Sequence, residues 1–165
     1  MEFYNRIKEI CKKHKKVALF VDMDGTIVEY RVFPENFVTT ETKEVFLNAE
    51  PLEVILKNLE KINEIDNLDV YILSLARSFI IVEEKKQWLQ KYAPFIREEN
   101  YILLNKENGD YNAENREFIK SIKMMEKLNE YDYVILLDDD HKILKRTLNE
   151  VGKNGEVFHV SSATM

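Results

Sequence analysis

Short, almost uninterrupted apolar runs recur along the chain, separated by longer stretches in which apolar positions return at helical spacing. The runs are residues 16–21, 68–73, 100–104, 133–137 and 156–160, rich in Val, Ile, Leu and Tyr. Runs this short and this continuous read as strands covered on both faces. Between them Leu52, Ile55, Leu56, Leu59 and Ile62 form one helical stripe behind Pro51, which suits a first turn. A second helix is expected over 78–92, carrying Trp88 and Leu89, and a third holding Phe118, Ile119, Ile122, Met125 and Leu128. A fourth should hold Ile143, Leu144, Thr147 and Leu148 and stop near Gly152, while Phe3, Ile7, Ile10 and Cys11 suggest a helix before the first strand. Strand–helix alternation of this kind predicts an α/β fold with a mainly parallel, five-stranded sheet.

One segment breaks the rhythm. Residues 27–50 separate the first strand from its crossover helix, a long βα connection. The segment carries Pro34 and a Thr39, Thr40, Thr42 cluster, but also Phe33, Phe37, Phe46 and Leu47, too apolar a set for a flexible linker. It reads as a small cap insertion over the strand ends, within a single domain spanning 1–165.

Composition narrows the function. A net charge of −6 over 165 residues argues against binding a nucleic-acid polymer, which needs a basic face, but not against a small phosphorylated substrate. Cys11 is the single cysteine, so an internal disulfide and a Cys-based zinc site are both excluded. No stretch approaches the roughly 20 apolar residues of a membrane span, and the N-terminal sixteen residues lack an apolar signal core, so a cytoplasmic protein is expected.

The chemistry concentrates at strand ends. VALFVDMDGTIVEY, residues 17–30, is an apolar strand ending in Asp22 and Asp24, then Gly25 and Thr26. Ligands of open α/β sheets bind at the carboxyl ends of strands. Two carboxylates placed there repel each other unless a cation or a proton shares the site. An EF-hand loop is a poor alternative, because it needs further oxygen ligands at fixed spacing and flanking helices. The bland alternative is a strand-end turn in which Asp and Gly serve the backbone. YVILLDDDHKIL, residues 133–144, repeats the pattern with three consecutive acids, and VYILSLA, residues 70–76, ends another run in Ser74.

A strand ending in DxDGT resembles the first motif of the haloacid-dehalogenase-like hydrolase superfamily, a doubly wound, Rossmann-like α/β fold. The resemblance implies Asp22 as nucleophile and Asp24 as general acid then base, with its carbonyl helping to hold Mg2+. Thr26 and Ser74 would then face the phosphate, Ser74 matching the second motif. Among the three acids Asp139 is favoured as the further metal ligand beside Asp22 and Asp24, with Asp138 second and Asp140 a cap for the next helix. The implied activity is phosphomonoester hydrolysis through an aspartyl-phosphate.

The superfamily also supplies a lysine that neutralises nucleophile and phosphate. EEKKQWLQKYAP, residues 83–94, resembles a helix of the C-type 5′(3′)-deoxyribonucleotidases and their bacterial relatives, with a Lys three residues before a Trp. That places Lys85 at the phosphate, with Lys106 and Lys120 as alternatives, and makes a nucleoside monophosphate the leading substrate, the alternatives being another small or protein-borne phosphomonoester, or a non-catalytic binding protein of the same fold. An Asn-Lys pair in those relatives stands here as Asn115-Arg116.

Overall fold

The protein is seen in a computed structural model that describes residues 2–30 and 43–165. All five strands run parallel, in the order β3–β2–β1–β4–β5: β1 (Val17–Val21), β2 (Leu68–Ala76), β3 (Tyr101–Asn105), β4 (Tyr133–Asp138) and β5 (Gly155–His159). The central strand β1 is buried at every position, as its unbroken VALFV run requires.

Period-two alternation divides its side chains between two cores. Val17, Leu19 and Val21 join one apolar cluster, Ala18 and Phe20 the other. The first cluster is covered by α1 (Glu2–Lys13), α2 (Glu53–Ile62) and α3 (Phe79–Tyr92), which contribute Ile7, Leu59 and Trp88 among others. The second is covered by α4 (Ile119–Glu126) and α5 (His141–Val151), through Met124, Ile143 and Leu144. Helices on both faces make this the doubly wound α/β arrangement expected.

Local signals set the helix ends. Ser78 Oγ accepts from Ile81 N at 3.3 Å to cap α3, and Asp140 caps α5 by accepting from Lys142 and Ile143 N, the role anticipated for it. Ile122 and Leu148 lie in the predicted helices but point outward, at 41% and 45% exposure. Lys120 and Ser121 take inward positions in α4 instead, while Thr147, expected on the stripe of α5, is buried.

Half of the expected cap insertion, residues 31–42 of 27–50, lies outside the described residues. Its two roots are visible and tied together. Glu29 N donates to Glu50 O at 2.9 Å and Leu52 N to Ile27 O at 2.8 Å. Phe46 and Ala49 are buried against α3, where Trp88 Nε1 donates to Ala49 O at 3.0 Å and Phe46 meets the indole edge-on. Among the described residues no helix is long and apolar enough to cross a membrane.

Candidate active site

Register brings the acids together. Val21 pairs with Leu137, so Asp22 and Asp138 emerge side by side from adjacent strands, and Asp22 N donates to Leu137 O at 3.0 Å. Phe20 and Leu136 face the second core; Asp22 and Asp138, each two residues further on, follow the same side. The helix covering that side is α4, and its Lys120 places Nζ 2.7 Å from Asp22 Oδ1 and 2.7 Å from Asp138 Oδ2. All three residues are buried.

The opposite face has its own lysine. Val70 and Ile72 face the first core, so Ser74 does too, and α3 covers it. Lys85, 1% exposed, donates to Ser74 Oγ at 2.7 Å, Asp24 Oδ2 at 2.8 Å and Leu75 O at 2.8 Å. Three acceptors around one ammonium satisfy its hydrogens. The carboxyl ends of the central strands are therefore held by two buried lysines approaching from opposite sides of the sheet. Lys106, in contrast, is exposed and makes no ion pair among the described residues.

The DGT turn is built around one carbonyl. The N–H groups of Thr26, Ile27 and Val28 all donate to Met23 O, at 3.0, 3.0 and 3.1 Å, and Gly25 adopts φ +77°. A Cβ at Gly25 would run into the Asp139 carboxylate, with Asp139 Cγ 2.8 Å away. Glycine thus supplies both the left-handed backbone and the space for Asp139. Thr26, fully buried, donates from Oγ1 to Asp22 Oδ2 at 3.3 Å.

The charge balance is unusual for an interior. Burial pushes the Asp22 carboxyl up to about 7, with Lys120 pulling down against it and Asp138 and Asp24 adding to the rise. Burial and the charge of Asp138 likewise raise Asp139. Burial alone would lower Lys120, but Asp22 and Asp138 outweigh it and hold the ammonium charged.

Asp22, Asp138 and Asp139 each offer an oxygen, all within 4.8 Å of one another. Three carboxylates against one contacting lysine leave negative charge in surplus, and hard oxygen donors suit Mg2+. The residues fit such an ion. The Asp24 carboxylate stands apart from this group, half exposed on Lys85. A cavity of about 320 Å³ opens over the acids, lined also by Tyr30, Arg116 and Lys120.

Asp22, Asp24, Thr26, Ser74, Lys85 and Asp139, singled out from sequence, all meet at the carboxyl ends of the central strands, and Asp138 and Lys120 join them. Arg77 and Tyr111, both near the site, went unread in the sequence. Arg77 directly follows β2, and a basic residue closing an apolar strand beside Ser74 was the available signal. Nothing local marked Tyr111. His141 stacks on His159, ring centroids 4.6 Å apart, outside the acid group.

No protein-family model matches the chain, and no curated protein does. Solved structures do. The HAD domain of the effector protein Lem4 from Legionella pneumophila aligns with a TM-score of 0.53 and 13% identity over 88% of this chain and 86% of that one. An inactive mutant of the same domain aligns with a TM-score of 0.54 and 14% identity, over 87% of this chain and 84% of that one. In fold, then, this chain is similar to a HAD domain: an all-parallel five-stranded sheet between two helical layers, with its acids gathered at the carboxyl ends of the central strands.

Proposed function

We propose that the chain is a magnesium-dependent phosphomonoester hydrolase working through an aspartyl-phosphate on Asp22. The observation that carries this reading is the position of Asp22 itself. It is buried among Asp138 and Asp139, fixed at one oxygen by Lys120 and at the other by Thr26, yet lines an open cavity. So costly a cluster of acids is retained where a cation and an anion are to be brought together.

Mg2+ would be held by Asp22, Asp138 and Asp139, with the Asp24 carbonyl as the further ligand the resemblance implies, and would supply charge neutralisation for the phosphoryl oxygens. A carboxylate oxygen of Asp22 attacks phosphorus as the bond to the ester oxygen breaks. Asp24, whose Oδ2 is anchored by Lys85, gives its proton to the departing alcohol. It then takes a proton from water as that water attacks phosphorus, releasing phosphate and restoring the Asp22 carboxylate. Ser74 and Thr26 orient the phosphoryl group. Lys120 offsets the charge of Asp22, while Lys85 fixes Ser74 and Asp24 relative to each other.

The substrate class is a small phosphorylated molecule, and the resemblance around Lys85 and Trp88 places nucleoside monophosphates first. The same reading takes the chain as one cytoplasmic domain that engages neither a nucleic-acid polymer nor a membrane. The test is turnover of a phosphomonoester panel with and without Mg2+, for the natural chain and Asp22→Asn. Magnesium-dependent release of phosphate that disappears in the variant, with the fold kept, is expected. Activity surviving in Asp22→Asn would falsify the choice of nucleophile.

A further inference from the structure

Beside the acid-lined cavity lies a second one, of about 270 Å³, whose character is cationic and aromatic. Phe46, Arg77, Lys85, Tyr111 and Arg116 line it, and Asp24, Leu75 and Arg116 border both cavities, so the two are contiguous.

Arg77 is the feature that asks for a ligand. Among the described residues its enclosed Nε and Nη2 have no hydrogen-bond partner and it forms no ion pair. Burial draws its proton affinity down, while Glu84, Asp24 and Tyr111 act the other way from a distance. Each of the two nearby carboxylates is held at one oxygen, and neither forms an ion pair with Arg77 among the described residues, although Glu84 Oε2 is itself enclosed without a hydrogen-bond partner. Glu84 Oε1 accepts from Phe46 N at 3.1 Å, and Asp24 Oδ2 is held by Lys85. Arg116, exposed on the shared rim, adds a second guanidinium without a carboxylate partner among the described residues. Guanidinium groups present N–H pairs that match the planar oxygens of a carboxylate or the face of a phosphate.

We propose that this second cavity is a subsite for a second anionic group on the substrate, a phosphate or a carboxylate, received by Arg77 and Arg116. The proposal rests on the phosphohydrolase reading only in taking the reacting phosphate to sit over Asp22. It narrows the substrate class from any small phosphomonoester to one carrying a further negative group. Tyr111 and Phe46 wall the second cavity, and Asp24, Leu75 and Arg116 lie between the two anion positions.

Two matched pairs of substrates test this. One is a nucleoside 5′-monophosphate against its 3′,5′-bisphosphate; the other is phenyl phosphate against 4-carboxyphenyl phosphate. In the natural chain at least one doubly anionic member is expected to exceed its partner in kcat/KM by about 10-fold or more, and which pair responds tells phosphate from carboxylate. Arg77→Gln and, separately, the exposed Arg116→Gln should lower kcat/KM for that member by about 10-fold more than for its partner. Glu84→Gln should keep the preference.

Equal rates within both pairs would overturn the proposal. So would an Arg77→Gln loss shared equally by both members and reversed by Glu84→Gln, which is the signature of a mere counter-ion to Glu84. The same pairs are titrated calorimetrically against Asp22→Asn with Mg2+. A binding preference there without turnover in the natural chain sinks the hydrolase reading and keeps the subsite; turnover without preference does the reverse.

Discussion

The Lys120 ammonium sits 2.7 Å from both Asp22 Oδ1 and Asp138 Oδ2, bridging β1 and β4 from α4 with scarcely any access to water. Removing one partner of such a buried set leaves charge that nothing compensates, at a cost of about 3–5 kcal/mol. Lys120→Met is expected to lose that much stability without Mg2+, as read by urea denaturation. The sign of its pH dependence follows. A carboxyl raised by burial, as Asp22 is, stabilises the fold when protonated and loses that contribution as pH rises through its folded value. The deficit of Lys120→Met relative to the natural chain should therefore shrink as pH is lowered through the neutral range. A deficit constant with pH would contradict this account.

Asp24 and Lys85 form the proton-handling side of the site, and their test is chemical. If Asp24 protonates the leaving alcohol, its loss matters least where the leaving group needs no proton. Asp24→Ala should cost an alkyl phosphate about 10²–10⁴-fold in kcat but a nitrophenyl phosphate far less in the first step. Burst kinetics with the aryl ester then expose the second step, in which water must be activated. Equal losses for both esters in single turnover would remove Asp24 from the acid role. Lys85→Met should move the same ratio in the same direction, because Asp24 Oδ2 loses its anchor.

Cys11 makes a contrast with the site. It lies in α1 against the first core, and burial pushes its thiol up to about 11. At about pH 8 roughly one molecule in a thousand would carry the thiolate, the reactive form. The folded protein is expected to react with a disulfide reagent orders of magnitude more slowly than the chain in denaturant. Comparable rates in both states would show that α1 opens readily from the sheet.

How far the sequence could be read depended on what each residue answers to. The apolar runs marked all five strands because strands covered on both faces need apolar side chains at nearly every position. Ser78 and Asp140 were readable at helix starts because capping is local. The DxDGT and DDD runs located the acids, since strand ends in a parallel sheet converge. Lys120 was harder. Periodicity placed Ile122 with Ile119 on the inward stripe of α4, but Ile122 is exposed and Lys120 buried, because two carboxylates draw the ammonium inward. Pairwise parity carried that information all the same. Asp22 and Asp138 fall on the α4 face and Ser74 on the α3 face, so these partners of the two lysines follow from strand alternation once the helices are assigned to faces, whereas Asp24 lies past the end of β1 and reaches Lys85 through the turn. Arg77 and Tyr111 had no such rule, for their approach to Asp24 depends on how the chain turns after β2 and β3.

Gly25 offers the sharpest separation of metal binding from folding. Its φ of +77° suits glycine, and a Cβ there would press on the Asp139 carboxylate. Gly25→Ala should therefore cost roughly 1–2 kcal/mol through the backbone and also displace one of the three acids proposed to hold Mg2+. For the natural chain, Mg2+ at about 100 times its Kd should add about 2.7 kcal/mol, which is a rise in Tm of roughly 5–10 °C for a domain this size. In Gly25→Ala the titration of Tm against Mg2+ is expected to shift to concentrations about 10-fold higher or more, a change of about 1.4 kcal/mol in binding. The backbone penalty lowers Tm at every Mg2+ concentration, whereas the lost ligand geometry moves the concentration at which Tm begins to rise, so one experiment separates them. A variant with lower Tm whose rise begins at the same Mg2+ concentration would show that Asp139 is not drawn to the ion.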